Sequence, residues 1–326
     1  MRRRHLVAAV MLAAAGLRAA LAQTRGLPVV GFLNSASAKT YSSNVEAFRA
    51  GLREIGFIEG ESILIEYRWA DNDYSSLPAL AQDLVRRKVA VIAATGDLVS
   101  ARAAQGATRE IPIVFTVGSD PVPFGLVASL ARPGGNSTGA TLFSSTLSAK
   151  RMELLREVAP AATQVALLMN PDNLNVAVDT RALQDAARSL GRRTVVMEAR
   201  GPTELDGAFE AIRQSSAGAV VVASDPMFLG QRHRIIALAA QHRLPVMYWT
   251  RDFAEAGGLI SYGTSIAWMY HQAGVYCGRI LKGAKPGELP VVQPTTFELV
   301  INQKTARTLD IVIPRPLLVR ADTVID

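Results

Sequence analysis

Cysteine is almost absent. Cys277 stands alone in 326 residues, so no disulfide can close within the chain and no multi-cysteine metal site can form. It falls on the apolar side of an expected helix and reads as a small buried hydrophobe. Histidine is nearly as scarce: beyond the first residues only His233, His242 and His271 remain, and none has the i, i+4 partner of a zinc-binding helix. No metal and no other cofactor is expected. After residue 22 no apolar run approaches the roughly 18–20 residues a membrane helix needs.

Nucleotide and catalytic signatures are missing too. Gly31 is followed by Phe32 and then by Asn34-Ser35, which leaves no G-x-G-x-x-G fingerprint after the first strand. Gly134 to Thr141 has the glycine spacing of a phosphate loop, but Ala140 stands where the lysine is required. Gly135-Asn136-Ser137-Thr138-Gly139 spells G-x-S-x-G, yet that motif needs a strand before it and a helix after it. Here the order is reversed. A turn is the expected role, and a secreted α/β hydrolase using Ser137 is kept as the alternative.

The chain does carry an export-like beginning. Arg2, Arg3 and Arg4 precede an apolar stretch from Leu6 to Leu17 and the small-x-small triplet Ala20-Leu21-Ala22, the layout of a cleaved signal peptide over residues 1–22. The expected location is periplasmic, with no cysteine near the cleavage site for a lipid anchor. The formal charge of +7 shrinks once the leader goes: its four arginines leave 31 basic against 28 acidic residues, or +3. The remaining cations are interspersed with acids, so the footprint of a nucleic-acid binder is absent.

From Pro28 onward short apolar runs alternate with amphipathic segments, the beat of parallel strands joined by crossover helices. Strands are expected at Val29–Leu33, Ile63–Tyr67, Val89–Ala93, Ile113–Thr116 and Ala140–Phe143, then at Val165–Met169, Thr194–Met197, Ala219–Val222 and Val246–Tyr248. Helices fall between them, including one near Phe124–Leu130. The beat repeats: Val89–Asp97 parallels Gly218–Asp225, and Ile111–Val114 parallels Leu244–Met247. Two Rossmann-like lobes with parallel sheets flanked by helices are expected.

In such sheets ligands bind beyond the carboxyl ends of the strands, where loops splay and helices begin. The candidate residues are Asn34, Ser35, Ser37, Thr95, Gly96, Asp97, Ser119 and Asp120 in the first lobe. In the second they are Asn170, Asn173, Asp225, Met227 and Trp249. Ser35, Thr95, Gly96 and Ser119 could meet a carboxylate, Asp225 an ammonium, and Trp249 or Tyr248 an apolar side chain. The same residue types also serve as turn formers and helix caps.

Several segments carry a family resemblance. They include Phe48-Arg49-Ala50-Gly51-Leu52-Arg53-Glu54-Ile55-Gly56-Phe57, Ile65-Glu66-Tyr67-Arg68-Trp69-Ala70, Ser129 to Gly139, Gly257 to Gly263 and Ile280 to Pro286. Together they resemble bacterial ABC-transporter substrate-binding proteins, a family with tryptophan- and tyrosine-binding members and the type I periplasmic binding fold. The resemblance implies a receptor that turns nothing over, with a small-molecule solute and an inner-membrane ABC permease as partners, expected as a monomer. A ligand-sensing partner of a membrane signalling protein would share the fold. The resemblance also implies three interlobe crossings, with residues 23–144 and about 250–290 in lobe 1 and 145–249 and about 291–326 in lobe 2. One departure is Asp97, which follows Thr95-Gly96 where the family more often has a small or hydroxyl residue.

Overall fold

The computed structural model describes residues 26–326; the expected leader and its cleavage site lie outside them. The first sheet has five strands, β1 (Val29–Asn34), β2 (Leu64–Trp69), β3 (Val91–Thr95), β4 (Ile113–Val117) and β5 (Ser137–Thr141). They are ordered β2-β1-β3-β4-β5 and pair in parallel throughout. Helices α1 (Ser42–Glu54), α2 (Leu77–Arg86) and α3 (Leu98–Ala107) supply crossovers. Val45, Phe48 and Leu52 bury one face of α1 at helical spacing, which is why this segment folds as a helix against the sheet.

The second lobe repeats the plan. It holds α4 (Ser148–Val158), β6 (Gln164–Met169), α5 (Val176–Ser189), β7 (Arg193–Glu198), α6 (Leu205–Gln214) and β8 (Ala219–Val222). These are followed by α7 (Pro226–Gly230), α8 (Arg232–Gln241), β9 (Val246–Tyr248), α9 (Arg251–Glu255) and β10 (Ile260–Gly263). Its sheet runs β12-β11-β10-β9-β8-β6-β7. The stretch β7-β6-β8-β9-β10 has the strand order of the first sheet, so the sequence parallels between β3 and β8 and between β4 and β9 mark equivalent strands. Between the lobes' last elements runs α10 (Ile266–Leu281). The chain then ends with β11 (Glu298–Asn302), α11 (Gln303–Thr308), α12 (Arg315–Arg320) and β12 (Thr323–Ile325). Among the described residues, only the β10–β11 pairing is antiparallel.

The chain passes between the sheets three times, at residues 142–147, 264–265 and 293–297. The second passage differs from expectation. Residues 250–263, expected in lobe 1, form α9 and β10 of the second sheet, because β10 pairs with β9 and β11. Val292, expected in lobe 2, bridges Ala140 of β5 in lobe 1. What returns to lobe 1 is α10, which lies on α1 backbone to backbone. A Cβ placed on Gly51 would stand 2.1 Å from the His271 carbonyl oxygen, and one on Gly274 2.1 Å from that of Phe48. Residues 121–130 form turns rather than the expected helix; Gly125 has φ +65°, which no right-handed helix can contain.

Candidate functional site

In both sheets the order reverses beside the first strand of the lobe, and there the two neighbouring loops diverge at their carboxyl ends. In lobe 1 this places Asn34 next to Thr95-Gly96. Asn34 Nδ2 donates to Thr95 Oγ1 (2.9 Å) and Tyr270 Oη (2.8 Å), while Ser35 Oγ donates to the Gly96 carbonyl (2.5 Å) and Thr95 Oγ1 to that of Leu33 (3.2 Å). Asn34, Ser35, Thr95, Gly96 and Tyr270 are all wholly buried or nearly so. Gly96 has φ +85°, and a Cβ there would lie 2.6 Å from Ser35 Oγ and 2.7 Å from Asn34 Oδ1, so only glycine fits.

Asp97 and Asp225 follow β3 and β8 at matching positions, and each caps the next helix. Asp97 accepts from the Leu98 N–H (2.7 Å) and, across the lobe, from the Gly118 N–H (3.1 Å). Asp225 accepts from the N–H groups of Met227 (2.9 Å) and Phe228 (3.3 Å). The remaining oxygen of Asp97 faces the opposite lobe, and that of Asp225 takes donors from its own lobe, Asn170 and Asn173, as well as from Tyr74 of lobe 1. Asn173 Nδ2 donates to both, at 3.1 Å to Asp97 Oδ2 and 2.9 Å to Asp225 Oδ2. Asn175 Nδ2 donates to Asp97 (3.2 Å), Ser119 Oγ to Asn175 Oδ1 (2.6 Å), and Tyr74 Oη to Asp225 Oδ2 (3.3 Å). The lobes are therefore drawn together over a lattice of neutral donors and two carboxylates.

Electrostatically the lattice is unbalanced. Burial holds the Asp97 carboxyl above its ordinary range, although the N–H groups of Gly118 and Leu98 and the amides of Asn173 and Asn175 pull it back. Burial likewise pushes Asp225 up to about 6, against hydrogen bonds from Asn173 and Asn170, with the Asp97 charge adding to the rise. Desolvation without a cation is the dominant physical cause.

Beside the lattice lies a small cavity of about 30 Å³, walled by Tyr41, Leu142, Trp249, Ile266, Met269 and Tyr270. That is room for a water rather than for a solute. Asp97 and Thr116 also line it, and the lining holds no Lys, Arg or His. Trp249 Nε1 and Thr116 Oγ1 are buried there without a hydrogen-bond partner. Buried polar groups are normally paired, so both are free to meet a solute.

Near the passages between lobes, the buried Arg151 of α4 ties two of them. Its Nε donates to the Tyr262 carbonyl (2.8 Å) and its Nη1 to Ser144 O (3.2 Å) and Oγ (3.0 Å).

Of the candidates named from sequence, Asn34, Ser35, Thr95, Gly96, Asp97, Ser119, Asn170, Asn173, Asp225 and Trp249 gather at this junction. Ser37 does not join the interlobe lattice: its hydroxyl pairs with Thr40 (3.0 Å). Asp120 caps its own turn through the Val122 N–H (3.0 Å), and the Met227 side chain packs in the apolar core. Tyr248 is core as well, stacked on Phe253 with ring centroids 4.5 Å apart, which leaves Trp249 as the cavity aromatic. The hydroxyls of Ser35 and Thr95 are spent on backbone carbonyls, and the start of α3 is occupied by Asp97 itself. A carboxylate pocket at that helix start, expected from sequence, is thus filled from within. Missed by sequence reasoning were Tyr41, Tyr74, Thr116, Asn175, Met269 and Tyr270. For Asn175 the signal was present in Asn170-Pro171-Asp172-Asn173-Leu174-Asn175, a run of amides after β6. Tyr270 lies on α10, in the lobe expected, but within a helix rather than in a strand-end loop where candidates were sought.

Comparison with known proteins agrees with this architecture. The family model described as ABC transporter substrate binding protein matches residues 30–325. A tyrosine-binding protein of Clostridioides difficile (strain R20291) is 27% identical over 265 residues, covering 81% of this chain and 76% of the relative. Among solved structures, a conserved domain protein from Vibrio cholerae shares 26% identity at a TM-score of 0.85, covering 91% of this chain and 99% of that one. The ligand-free, open structure of a substrate-binding protein with adhesive properties from Clostridium difficile shares 25% identity over 92% of this chain and 99% of that one, at a lower TM-score of 0.65. Ser137, the one serine in a hydrolase-like motif, lies inside β5 rather than on a strand-to-helix turn, and Gly139 abuts β4, where a Cβ would stand 2.0 Å from the Phe115 carbonyl oxygen. The motif's glycine spaces two strands, and the chain, a binding protein and not an enzyme, belongs to the ABC transporter substrate-binding protein family.

Proposed function

We propose that this protein is the periplasmic receptor of an ABC importer and that it captures an amino-acid-like solute, one bearing both an ammonium and a carboxylate, between its lobes. The observation that carries this reading is the pair Asp97 and Asp225, one from each lobe, meeting at the single amide of Asn173 with no cation beside them. A solute ammonium placed there would supply the missing positive charge to both lobes at once, and charge-assisted bonds of this kind are among the stronger ones. It would also reward closure, because each lobe alone offers only one acid.

The cavity supports the rest of the assignment. Trp249, Tyr41, Tyr270, Leu142 and Met269 gather apolar and aromatic surface at the junction, against which an aromatic or large aliphatic side chain would pack once the lobes part to admit it. Trp249 Nε1 and Thr116 Oγ1 are donors available to the carboxylate. The name of the Clostridioides difficile relative, a tyrosine-binding protein, supports an amino-acid ligand. Closure on binding follows from a site divided between lobes, with the three passages as hinges. The leader-like residues 1–22 support export and delivery to a membrane permease.

A thermal-shift screen of amino acids, aromatic acids, sugars and nucleosides tests the reading. Saturation by an amino acid at 100 times its Kd should stabilise by roughly 2.7 kcal/mol. A response confined to sugars or nucleosides would remove the amino-acid assignment.

A further inference from the structure

Behind the Asn173 amide lies a second, smaller cavity, of about 10 Å³, lined by Met169, Asn170, Asn173, Val176, Asp179 and Asp225. Asp179, in the first turn of α5, is 7% exposed, and its Oδ1 has no hydrogen-bond partner. A structural aspartate would normally cap a helix or pair with a cation. Asp179 does neither. Its nearest cationic influence is Arg151, whose guanidinium is committed to Tyr262 and Ser144.

We propose that Asp179 is a third acid of the binding site, one that holds a proton in the solute-free cleft and releases it to solvent when an ammonium-bearing solute is captured. This rests on the ammonium reading above. Three buried carboxyls meet here: Asp97 before α3 and Asp225 before α7 share the neutral donors of Asn170, Asn173, Asn175 and Tyr74, while Asp179 in α5 lines one small cavity with Asp225 and its Oδ1 has no donor. Like charges so placed cannot all ionise, and they titrate as a group. Burial, then the charge of Asp97, raises Asp179 to about 7, with Arg151 opposing. The other charges near Asp179 point outward: Arg181, Asp185 and Arg188 on its own helix and Arg193 and Glu198 on β7 are exposed. Tyr74 and Tyr41 stay neutral, held so by burial and by the charges of Asp225 and Asp97. An ammonium beside Asp97 and Asp225 would offset the Asp97 charge, which adds to burial in keeping the proton on. The balance is simple: one carboxyl O–H bond breaks, the proton goes to the buffer, and the positive charge lost is replaced by that of the solute.

Calorimetric titration of the mature protein with L-tyrosine and with L-tryptophan, in buffers of differing ionisation enthalpy, reads the released proton directly. Release should reach about 0.5 proton per solute at pH 7, where a group titrating near 7 is half protonated, and vanish at pH 9. In Asp179→Asn, the protons released per solute bound should fall by half or more. Buffer-independent enthalpies at pH 6–7, or release unchanged in the variant, would overturn the proposal. Carboxyl carbon NMR of the solute-free protein decides it independently of any ligand. One resonance should titrate between pH 6 and 8 and disappear in Asp179→Asn; no carboxyl titrating above pH 5.5 would overturn it. Should neither amino acid bind, the functional reading fails, and the NMR titration still settles the protonation of Asp179.

Discussion

Asp97 and Asp225 occupy the same place in two copies of one architecture, yet the chain holds them differently. Asp225 has extended backbone, φ −155° and ψ 135°, and caps α7 through two N–H groups as an ordinary N-cap does. Asp97 has φ +109° and ψ −179° and accepts only one N–H from its own helix; its other backbone partner is Gly118, at the end of the neighbouring strand. A non-glycine residue at positive φ is strained. The strain turns the carboxylate away from its helix and toward Asn173 and Asn175 of the other lobe. Duplication thus supplied two capping aspartates, and the first lobe's copy was re-aimed to serve the junction.

If Asp225 is the acid free to receive an ammonium, Asp225→Asn should weaken amino-acid binding by about 2 kcal/mol or more, as for one partner of a desolvated charge pair. Calorimetry on the variant checks this, with circular dichroism to confirm that the fold is kept. Neutral or tighter binding would remove the asymmetry between the two acids.

Gly96→Ala attacks the other side of the comparison, because the platform that orients Asp97 has no room for a methyl group. The expected loss is roughly 2 kcal/mol of stability, within the range for strain at a special backbone position, read by chemical denaturation. The equivalent residue in lobe 2, Ser224, carries a side chain already.

The two acids also predict opposite pH trends for stability and binding. Asp225 and Asp179 have folded values raised to about 6 and about 7, so the native state binds more protons than the unfolded chain above about pH 4. Their contribution to stability is greatest below pH 4 and falls as pH rises from about 4 to 7. Solute affinity should move the other way, rising through pH 6 as the acids ionise. Thermal melts and titrations at pH 5, 6 and 7.5 compare the two trends, and parallel slopes would contradict them.

Tyr74→Phe should have the smallest effect. It removes a long hydrogen bond across the junction, 3.3 Å to Asp225, and should weaken binding by about 0.5–1 kcal/mol.

The repeat and the strand-end loops were legible in the sequence because periodicity and turn chemistry are local. Val89–Asp97 and Gly218–Asp225 look alike since each is a buried strand followed by a capping residue. The second passage was not legible: residues 250–263 and α10 both alternate apolar and polar groups, and only pairing of β10 with β9 and β11 decides which lobe takes them. Tyr270 was missed for another reason: it sits on a helix, not in a strand-end loop. Nor does any local signal separate Ser35 and Thr95, whose hydroxyls turn inward to carbonyls, from Asn173, which turns outward. Asp97 was noticed as unusual at a helix start, but its interlobe bonds depend on contacts 76 and 78 residues away.

The most direct measurement is a paired calorimetric titration of the wild-type protein with L-tyrosine and with 3-(4-hydroxyphenyl)propanoic acid, which lacks only the ammonium. Two buried acids without a cation should favour the amino acid by about 2 kcal/mol or more, roughly 30-fold. Equal affinity for the two, or tighter binding of the plain acid, would contradict the placement of an ammonium between Asp97 and Asp225.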